Sequence, residues 1–177
     1  MALITAHPDD EVLWAGGLIQ KGDWTVICCS VPRHDPIRAY KFYKCCDVLG
    51  VKSRVLPFSE GEPSREMQHL TAIEDLNTFD GILTHNVDGE YGHIHHRQVH
   101  RFVRDNFHGP LFTFGFGRGK FVYELTDEEL AVKSRALRCY DHVLPYNGKM
   151  MTKWEALLDR YMTDQDVFVE SFDEIND

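Results

Sequence analysis

The chain has 177 residues, of which 43% are hydrophobic and 12% aromatic, and its formal net charge is −9 with the histidines neutral. A chain of this length is the size of one domain, which can bury roughly two-thirds of the surface that its unfolded form exposes. The acidic balance argues against nucleic acid or an anionic membrane as the main partner, and no apolar run approaches the ~20 residues of a membrane span.

Strand-like and helix-like segments alternate through the first two-thirds of the chain. The predicted strands are Ala2 to Thr5, Thr25 to Cys29, Val51 to Phe58, Phe79 to Thr84 and Leu111 to Phe116. The predicted helices are Glu11 to Lys21, Ile37 to Leu49, Ser64 to Asn77 and His95 to Asn106. Alternation with short connections favours parallel strands joined by right-handed crossovers. We therefore expect an α/β fold with a doubly wound, mostly parallel sheet flanked by helices.

The order of elements changes after Phe116. A glycine-rich break is followed by a predicted strand from Lys120 to Leu125 and a helix from Asp127 to Tyr140 that Thr126 caps. A last helix is predicted from Lys153 to Met162. Because no repeat or interdomain linker is visible, we expect residues 1–177 to form a single domain.

The cysteines and the start of the chain indicate the compartment. Two adjacent cysteine pairs and Cys139 lack the spacing of a zinc knuckle or a disulfide framework, so we expect buried, reduced thiols. The first residues lack the basic stretch of a secretory signal and lead directly into a polar motif. These features favour a cytoplasmic protein.

The first cluster with chemical potential is His7-Pro8-Asp9-Asp10-Glu11, where the first strand ends and the first helix begins. Open parallel sheets bind ligands beyond the carboxyl ends of their strands. His7 and Asp10, three residues apart in a turn, can aim at one zinc ion, whereas Asp9 must point differently and is free to take a proton from water on the metal. The alternative is that these acids only complement the helix dipole.

The second cluster follows another strand end, so we expect it to face the same crevice. It runs from Asp88 to His100 and contains four histidines, at positions 93, 95, 96 and 100, and His85 lies just before it. One of them can complete a site of two histidines and one aspartate that keeps a position open for water. His96 and His100 share a helix face, which by itself suggests a ligand pair and would turn His95 away, but we expect His100 to be structural or to support a ligand. The alternative is a solvated, histidine-rich helix start.

Two motifs resemble a known family. Ala6-His7-Pro8-Asp9-Asp10-Glu11 is similar to the A-H-P-D-D-E signature of the PIG-L/LmbE-type deacetylases, and Tyr91-Gly92-His93-Ile94-His95-His96 is similar to the family's Y-G-H-x-[DN]-H motif. The resemblance implies a Rossmann-like fold and removal of an N-acetyl group from an N-acetylglucosamine-type sugar or glycoconjugate. It implies zinc as the cofactor, with Fe²⁺ as the alternative, and a small-molecule substrate; the oligomeric state stays open.

The resemblance also implies roles for individual residues. The metal ligands that it implies are His7, Asp10 and His96. Asp9 would be the general base, His93 the group that stabilises the oxyanion and helps the amine leave, and Tyr91 an assistant to the same oxyanion. One departure bears on His93: many relatives carry Asp or Asn where this chain has His95, so the carboxylate that would orient His93 must come from Asp88 or Glu90, or His93 acts as a neutral donor.

Substrate contacts are expected from the loops after the second and third strands, where Arg38 and Glu60 lie. For both residues a surface salt bridge is an equal alternative. The motifs define the chemistry and leave the amine undefined, so an amidase for another acyl group or a thiol conjugate is the nearest rival. A metal-containing glycan-binding module that has lost turnover is the rival from another class.

Overall fold

The structure is a computed structural model that describes residues 1–32, 35–56, 59–60, 73–115, 121–140, 143–146, 149–152 and 165–170. The strands are β1 Ala2–Thr5, β2 Thr25–Cys28, β3 Val31–Pro32, β4 Lys52–Val55, β5 Ser59–Glu60, β6 Ile82–Thr84, β7 Leu111–Phe114, β8 Phe121–Glu124, β9 Val143–Tyr146, β10 Lys149–Thr152 and β11 Gln165–Glu170. The helices are α1 Asp10–Ala15, α2 Ile37–Leu49, the short turn α3 Gly89–Gly92, α4 Ile94–Asn106 and α5 Asp127–Leu137.

Seven strands form the main sheet in the order β4-β2-β1-β6-β7-β11-β8. The first five strands in this order, β4 to β7, form four parallel pairs, as the alternation of strands and helices predicts. β11 then pairs antiparallel with both β7 and β8, which the sequence did not predict. Two smaller pairs lie outside the main sheet, β3 with β5 and β9 with β10.

Helices cover both faces of the parallel strands, so the prediction of a doubly wound α/β domain is confirmed. Successive side chains of a strand point to opposite faces. Leu3 of β1 packs in a core cluster with residues of α1, α2 and α5. Ala2 and Ile4 pack in a second cluster that contains Val99 and Val103 of α4. The sheet is therefore buried from two sides, which explains why Ala2, Leu3 and Ile4 of β1 are all apolar.

The predicted helix from Glu11 to Lys21 is interrupted. α1 ends at Ala15, and Leu18–Gln20 forms a separate 3-10 turn. The backbone N–H groups of Gly17 and Leu18 donate to Asp166 Oδ2 at 2.7 and 2.6 Å instead of to a helical carbonyl. A Cβ atom on Gly17 would lie 2.4 Å from Leu125 Cγ, so the glycine at this break allows Leu125 to pack closely against the backbone.

The limits predicted for the other helices agree with the structure to different extents. α2 has the predicted limits and ends at Gly50, whose φ of 74° is the left-handed conformation common after helices. α4 begins one residue earlier than predicted. The predicted helix Ser64 to Asn77 is wrong at its C-terminal end, because residues 73–75 are not helical and Leu76–Thr78 forms a 3-10 turn. The rest of that helix, within residues 61–72, and the predicted helix Lys153 to Met162 lie outside the described part of the structure.

The cysteines are free thiols, as predicted; four are buried, and Cys139 is partly exposed. Among the described residues, no helix combines the length and apolar character needed to cross a bilayer.

Candidate metal centre

The candidate site lies where β1 and β6 end. These neighbouring strands are parallel, so the segments that follow them leave the sheet at the same edge. His7 to Asp10 follow β1, His85 and Glu90 follow β6, and α4 returns His96 to the same place. The two clusters found in the sequence therefore meet in one crevice.

Two imidazole nitrogens and the carboxylate of Asp10 converge there. His96 Nε2 lies 3.2 Å from His7 Nδ1 and 3.5 Å from Asp10 Oδ1, whereas His7 Nδ1 lies 3.5 Å from the other carboxylate oxygen, Asp10 Oδ2. All three residues are buried. Ligand atoms bound to a tetrahedral zinc ion at about 2.0–2.2 Å are about 3.4 Å apart. The spacing and chemistry of His7, Asp10 and His96 thus fit a catalytic metal site with three protein ligands.

Behind these residues lies a buried layer that the sequence analysis missed. Glu90 Oε2 shares hydrogen bonds with His96 Nδ1 and, at 2.9 Å, with His85 Nδ1. His85 stacks on His96 with ring centroids 3.8 Å apart, and its Nε2 lies 3.4 Å from Asp10 Oδ2. Glu90 therefore orients His96, a carboxylate–histidine arrangement typical of metal sites. The available signal was the position of His85, directly after a strand.

The charges of this layer favour metal binding. Burial alone would raise the pKa of Glu90, but His85 and His96 outweigh it and lower that pKa to about 2. Burial disfavours protonated His85, yet Glu90 and Asp10 raise its pKa to about 9. Burial would also raise the pKa of Asp10, but His96 and His85 hold it well below its ordinary value. Burial, followed by the charge of His85, lowers the pKa of His96. An ionised Asp10 and a neutral His96 are the forms that ligate a metal.

The expectation from helical spacing that His95 points away is wrong, whereas His100 has the structural role expected of it. His95 is fully buried, and its Nδ1 shares a hydrogen bond of 2.9 Å with His7 Nε2. His100 instead bonds to the backbone carbonyl of His85 through Nδ1 at 2.8 Å. His96 and His100 do share a helix face, but this part of α4 also packs against β6. The bond to the His85 carbonyl therefore gives His100 a structural role.

His93 is half-buried at the mouth of the site and caps α4. Its Nδ1 accepts a hydrogen bond from the backbone N–H of His95 at 3.3 Å. Glu90, one of the two acids expected to orient His93, instead bonds to His85 and His96. Burial, followed by repulsion from His7, His96 and His95, lowers the pKa of His93 to about 3. Tyr91 is 52% exposed, with its ring 5.8 Å from that of His93.

Asp9 is held in an unusual backbone conformation beside the three donors. Its φ of 108° is rare for any residue other than glycine. Its N–H donates to Glu11 Oε2 at 3.0 Å, and Glu11 accepts a hydrogen bond of 2.5 Å from Tyr140 Oη. Arg38 forms an ion pair of 2.9 Å with Asp9 Oδ2 and also donates to the carbonyl of Pro8. Arg38 therefore lies at the site, although the partner is Asp9 and not a surface acid.

Glu60 lies in β5, whose backbone pairs in parallel with β3. The side chain of Glu60 is outside the described part of the structure, so its predicted contact with substrate stays a prediction.

Comparison with known proteins finds a matching family model and curated relatives. A model of the PIG-L family, described as GlcNAc-PI de-N-acetylase, matches residues 2–107. The chain is 25% identical to 1D-myo-inositol 2-acetamido-2-deoxy-alpha-D-glucopyranoside deacetylase of Corynebacterium diphtheriae, a match that covers 56% of this chain and 49% of that protein. Across the curated relatives that it matches, the chain spans between 49% and 60% of their length.

Solved structures share the fold. N,N'-diacetylchitobiose deacetylase from Pyrococcus horikoshii superposes with a TM-score of 0.57 at 18% identity, covering 78% of this chain and 68% of that one. The 4-carboxy-2-hydroxymuconate hydratase GalB from Pseudomonas putida reaches 0.60 at 16% identity, over 78% and 77% of the two chains. Because a deacetylase and a hydratase share this architecture, the fold alone does not select the reaction. The family is shown instead by the family model, which matches more than half of the chain: the protein belongs to the PIG-L family, whose model is described as GlcNAc-PI de-N-acetylase.

Proposed function

We propose that the protein is a metal-dependent hydrolase that removes the N-acetyl group from an N-acetylglucosamine-type sugar or glycoconjugate. The observation that carries the proposal is the buried trio of His7, Asp10 and His96, whose imidazole nitrogens lie 3.2 Å apart and each 3.5 Å from an oxygen of the Asp10 carboxylate. The trio lies within the segment that the family model matches. The relative from Corynebacterium diphtheriae acts on an acetamido sugar, which supports the substrate class.

His7, Asp10 and His96 would hold the ion, and two imidazoles with one carboxylate suit zinc, with Fe²⁺ as the alternative. When bound, such an ion supplies Lewis acidity that polarises the amide carbonyl and makes water acidic enough to lose a proton near neutral pH. Glu90 fixes the ring of His96, so that the unprotonated Nε2 faces the other two ligands.

Asp9 would act as the general base. It is the carboxylate adjacent to ligand Asp10, and the backbone bond to Glu11 and the ion pair with Arg38 restrict its orientation. In hydrolysis, the attacking water loses one proton and the departing amine gains one. A carboxylate that accepts the first proton can return it to the nitrogen, so Asp9 can serve both steps.

His93 would donate a hydrogen bond to the oxyanion as a neutral imidazole. Because its Nδ1 accepts a hydrogen bond from the His95 backbone, the ring proton is assigned to Nε2, which can donate. A donor aimed at the developing oxyanion is worth a hundred- to a thousand-fold in rate in typical hydrolases. Tyr91, exposed beside His93, would add a second donor, and Arg38 and Glu60 would contact the sugar.

The test combines metal analysis with acetate release. Purified protein should hold about one tightly bound equivalent of zinc and release acetate from N-acetylglucosamine conjugates. Asp9→Asn should retain the metal and lose acetate release by about a hundred- to ten-thousand-fold, because the base is gone while the ligands remain. Dialysis against a chelator should abolish activity, and added zinc should restore it.

Asp105→Asn supplies the matched control, since Asp105 is an exposed carboxylate on α4 that pairs with Arg104. Its activity should equal that of the wild type. Metal retention without acetate release from any acetylated sugar would favour an amidase for another acyl group or a binding module. Wild-type protein without metal, and unchanged by His96→Ala, would contradict the proposal.

A further inference from the structure

We propose that His7, His93 and His95 form a second site for a divalent transition-metal ion, next to the trio of His7, Asp10 and His96 and sharing His7 with it. One ligating nitrogen from each of the three histidines lies within 4.8 Å of the others. The ring centroids are 4.6 Å apart for His7 and His93, and 5.2 Å apart for both pairs that include His95. Three imidazoles bound to one tetrahedral zinc ion at about 2.0–2.1 Å have centroids about 5 Å apart.

The two nitrogens of His7 face different partners, so the two sites do not compete for one atom. Nδ1 faces His96 and Asp10, whereas Nε2 lies 2.9 Å from His95 Nδ1. A deprotonated imidazole can bind an ion at each nitrogen. An ion at the second site would replace the proton that His7 and His95 share, and that proton would leave to solvent.

The burial of the three histidines determines how an ion reaches the site, and their nitrogen ligands determine which ion binds. His95 is fully buried and His7 nearly so, whereas His93 is half-buried and gives access from solvent. Three imidazole nitrogens suit Zn²⁺, Cu²⁺ or Ni²⁺ and suit Mg²⁺ or Ca²⁺ poorly. The second ion should bind more weakly than the first, because this trio contains no carboxylate to offset its charge and lies beside another cation.

Occupancy of this site would affect catalysis, a consequence that rests on the proposed function. The second ion would bind a nitrogen of His93, the proposed donor to the oxyanion. Acetate release should therefore be highest at one equivalent of zinc and should fall as excess zinc fills the second site.

The experiment counts bound metal directly. The protein is dialysed to equilibrium against excess zinc, and bound metal is measured by mass spectrometry. His95→Asn and His93→Asn should each bind one equivalent fewer than the wild type and keep the tight equivalent. His108→Asn, which removes an exposed histidine away from the site, should bind as much as the wild type. As a second readout, Cu²⁺ added to the zinc-loaded wild type should give an electron paramagnetic resonance spectrum with nitrogen splittings that both site variants lose.

The proposal is overturned if the wild type binds a single equivalent at excess zinc, or if both site variants bind as much as the wild type. Loss of all metal in both variants would also overturn it, because the histidines would then serve one site. The count is independent of turnover: an inactive wild type with two equivalents contradicts the proposed function alone, whereas an active wild type limited to one equivalent contradicts only the second site.

Discussion

Replacing Glu90 with glutamine tests whether the buried layer behind the ligands supports the metal. The Glu90 side chain is fully buried, and its Oε2 accepts hydrogen bonds from both His85 and His96. Glutamine offers one oxygen and an NH₂ group that cannot accept, so either the two imidazoles or the backbone N–H of Asn86, which donates to Oε1 at 2.9 Å, lose their acceptor. In both cases the negative charge beside His96 is lost. Removal of such a partner typically weakens metal binding about 10- to 100-fold, or ~1.4–2.7 kcal/mol.

The metal-free protein should also become less stable. His85 and His96 would lose the charged acceptor that their Nδ1 atoms share, whereas the hydrogen bond from the Ala6 N–H to His85 Nε2 would remain. Leaving a buried donor or acceptor without its partner costs about 1–3 kcal/mol. Competition with a chromophoric chelator measures the affinity, and urea unfolding measures the stability. Glu128→Gln, on the exposed first turn of α5, is the control. If Glu90→Gln binds zinc within twofold of the wild type and unfolds at the same urea concentration, the buried layer does not support the site.

Two further substitutions test the scaffold around Asp9 and β11 by urea unfolding. Tyr140→Phe should lower the free energy of unfolding by about 1–3 kcal/mol, because buried Glu11 loses the 2.5 Å hydrogen bond from Oη; Tyr40→Phe, at a 61% exposed position, should change it little. Lys133→Met should cost about 3–5 kcal/mol, because Asp166, 2.6 Å from Lys133 Nζ and buried, would keep a charge without its cation. Adding Asp166→Asn to Lys133→Met should recover part of that loss, and a double variant no more stable than the single one would contradict this account.

The sequence predicted the parallel part of the fold because each strand and its following helix carry their own pattern. Runs such as Ala2–Thr5 are buried on both faces, so they are recognisable without their partners. β11 carries only the short run Val167-Phe168-Val169 between acidic residues, and its place between β7 and β8 depends on pairing with strands that are distant in sequence. The break after α1 was missed for a similar reason, because the acceptor of the Gly17 N–H is Asp166, 149 residues away.

The sequence predicted those parts of the site that depend on the order of residues and elements along the chain. His7 and Asp10 share a turn, and their position after β1 placed them at the crevice. The orientation of His95 was not predictable from helical spacing, because His93 caps α4 in an extended conformation and the first turn follows from that cap. Glu90 was considered only as a partner for His93. Its φ of 56° directs the chain into a turn from which its carboxylate meets His85 and His96 instead.

The left-handed backbone of Asp9 has a consequence for protein engineering. A residue other than glycine in such a conformation typically costs about 1–3 kcal/mol, and here the bonds from Val12 and Leu13 to the Asp9 carbonyl help to retain it. Glycine would adopt the same angles without that penalty. Because glycine would also leave the Arg38 guanidinium without its carboxylate, selection for thermostability should accept glycine at position 9 together with a neutral residue at position 38. Selection for turnover should reject it, and the contrast between the two screens would mark Asp9 as a position where stability and activity oppose each other.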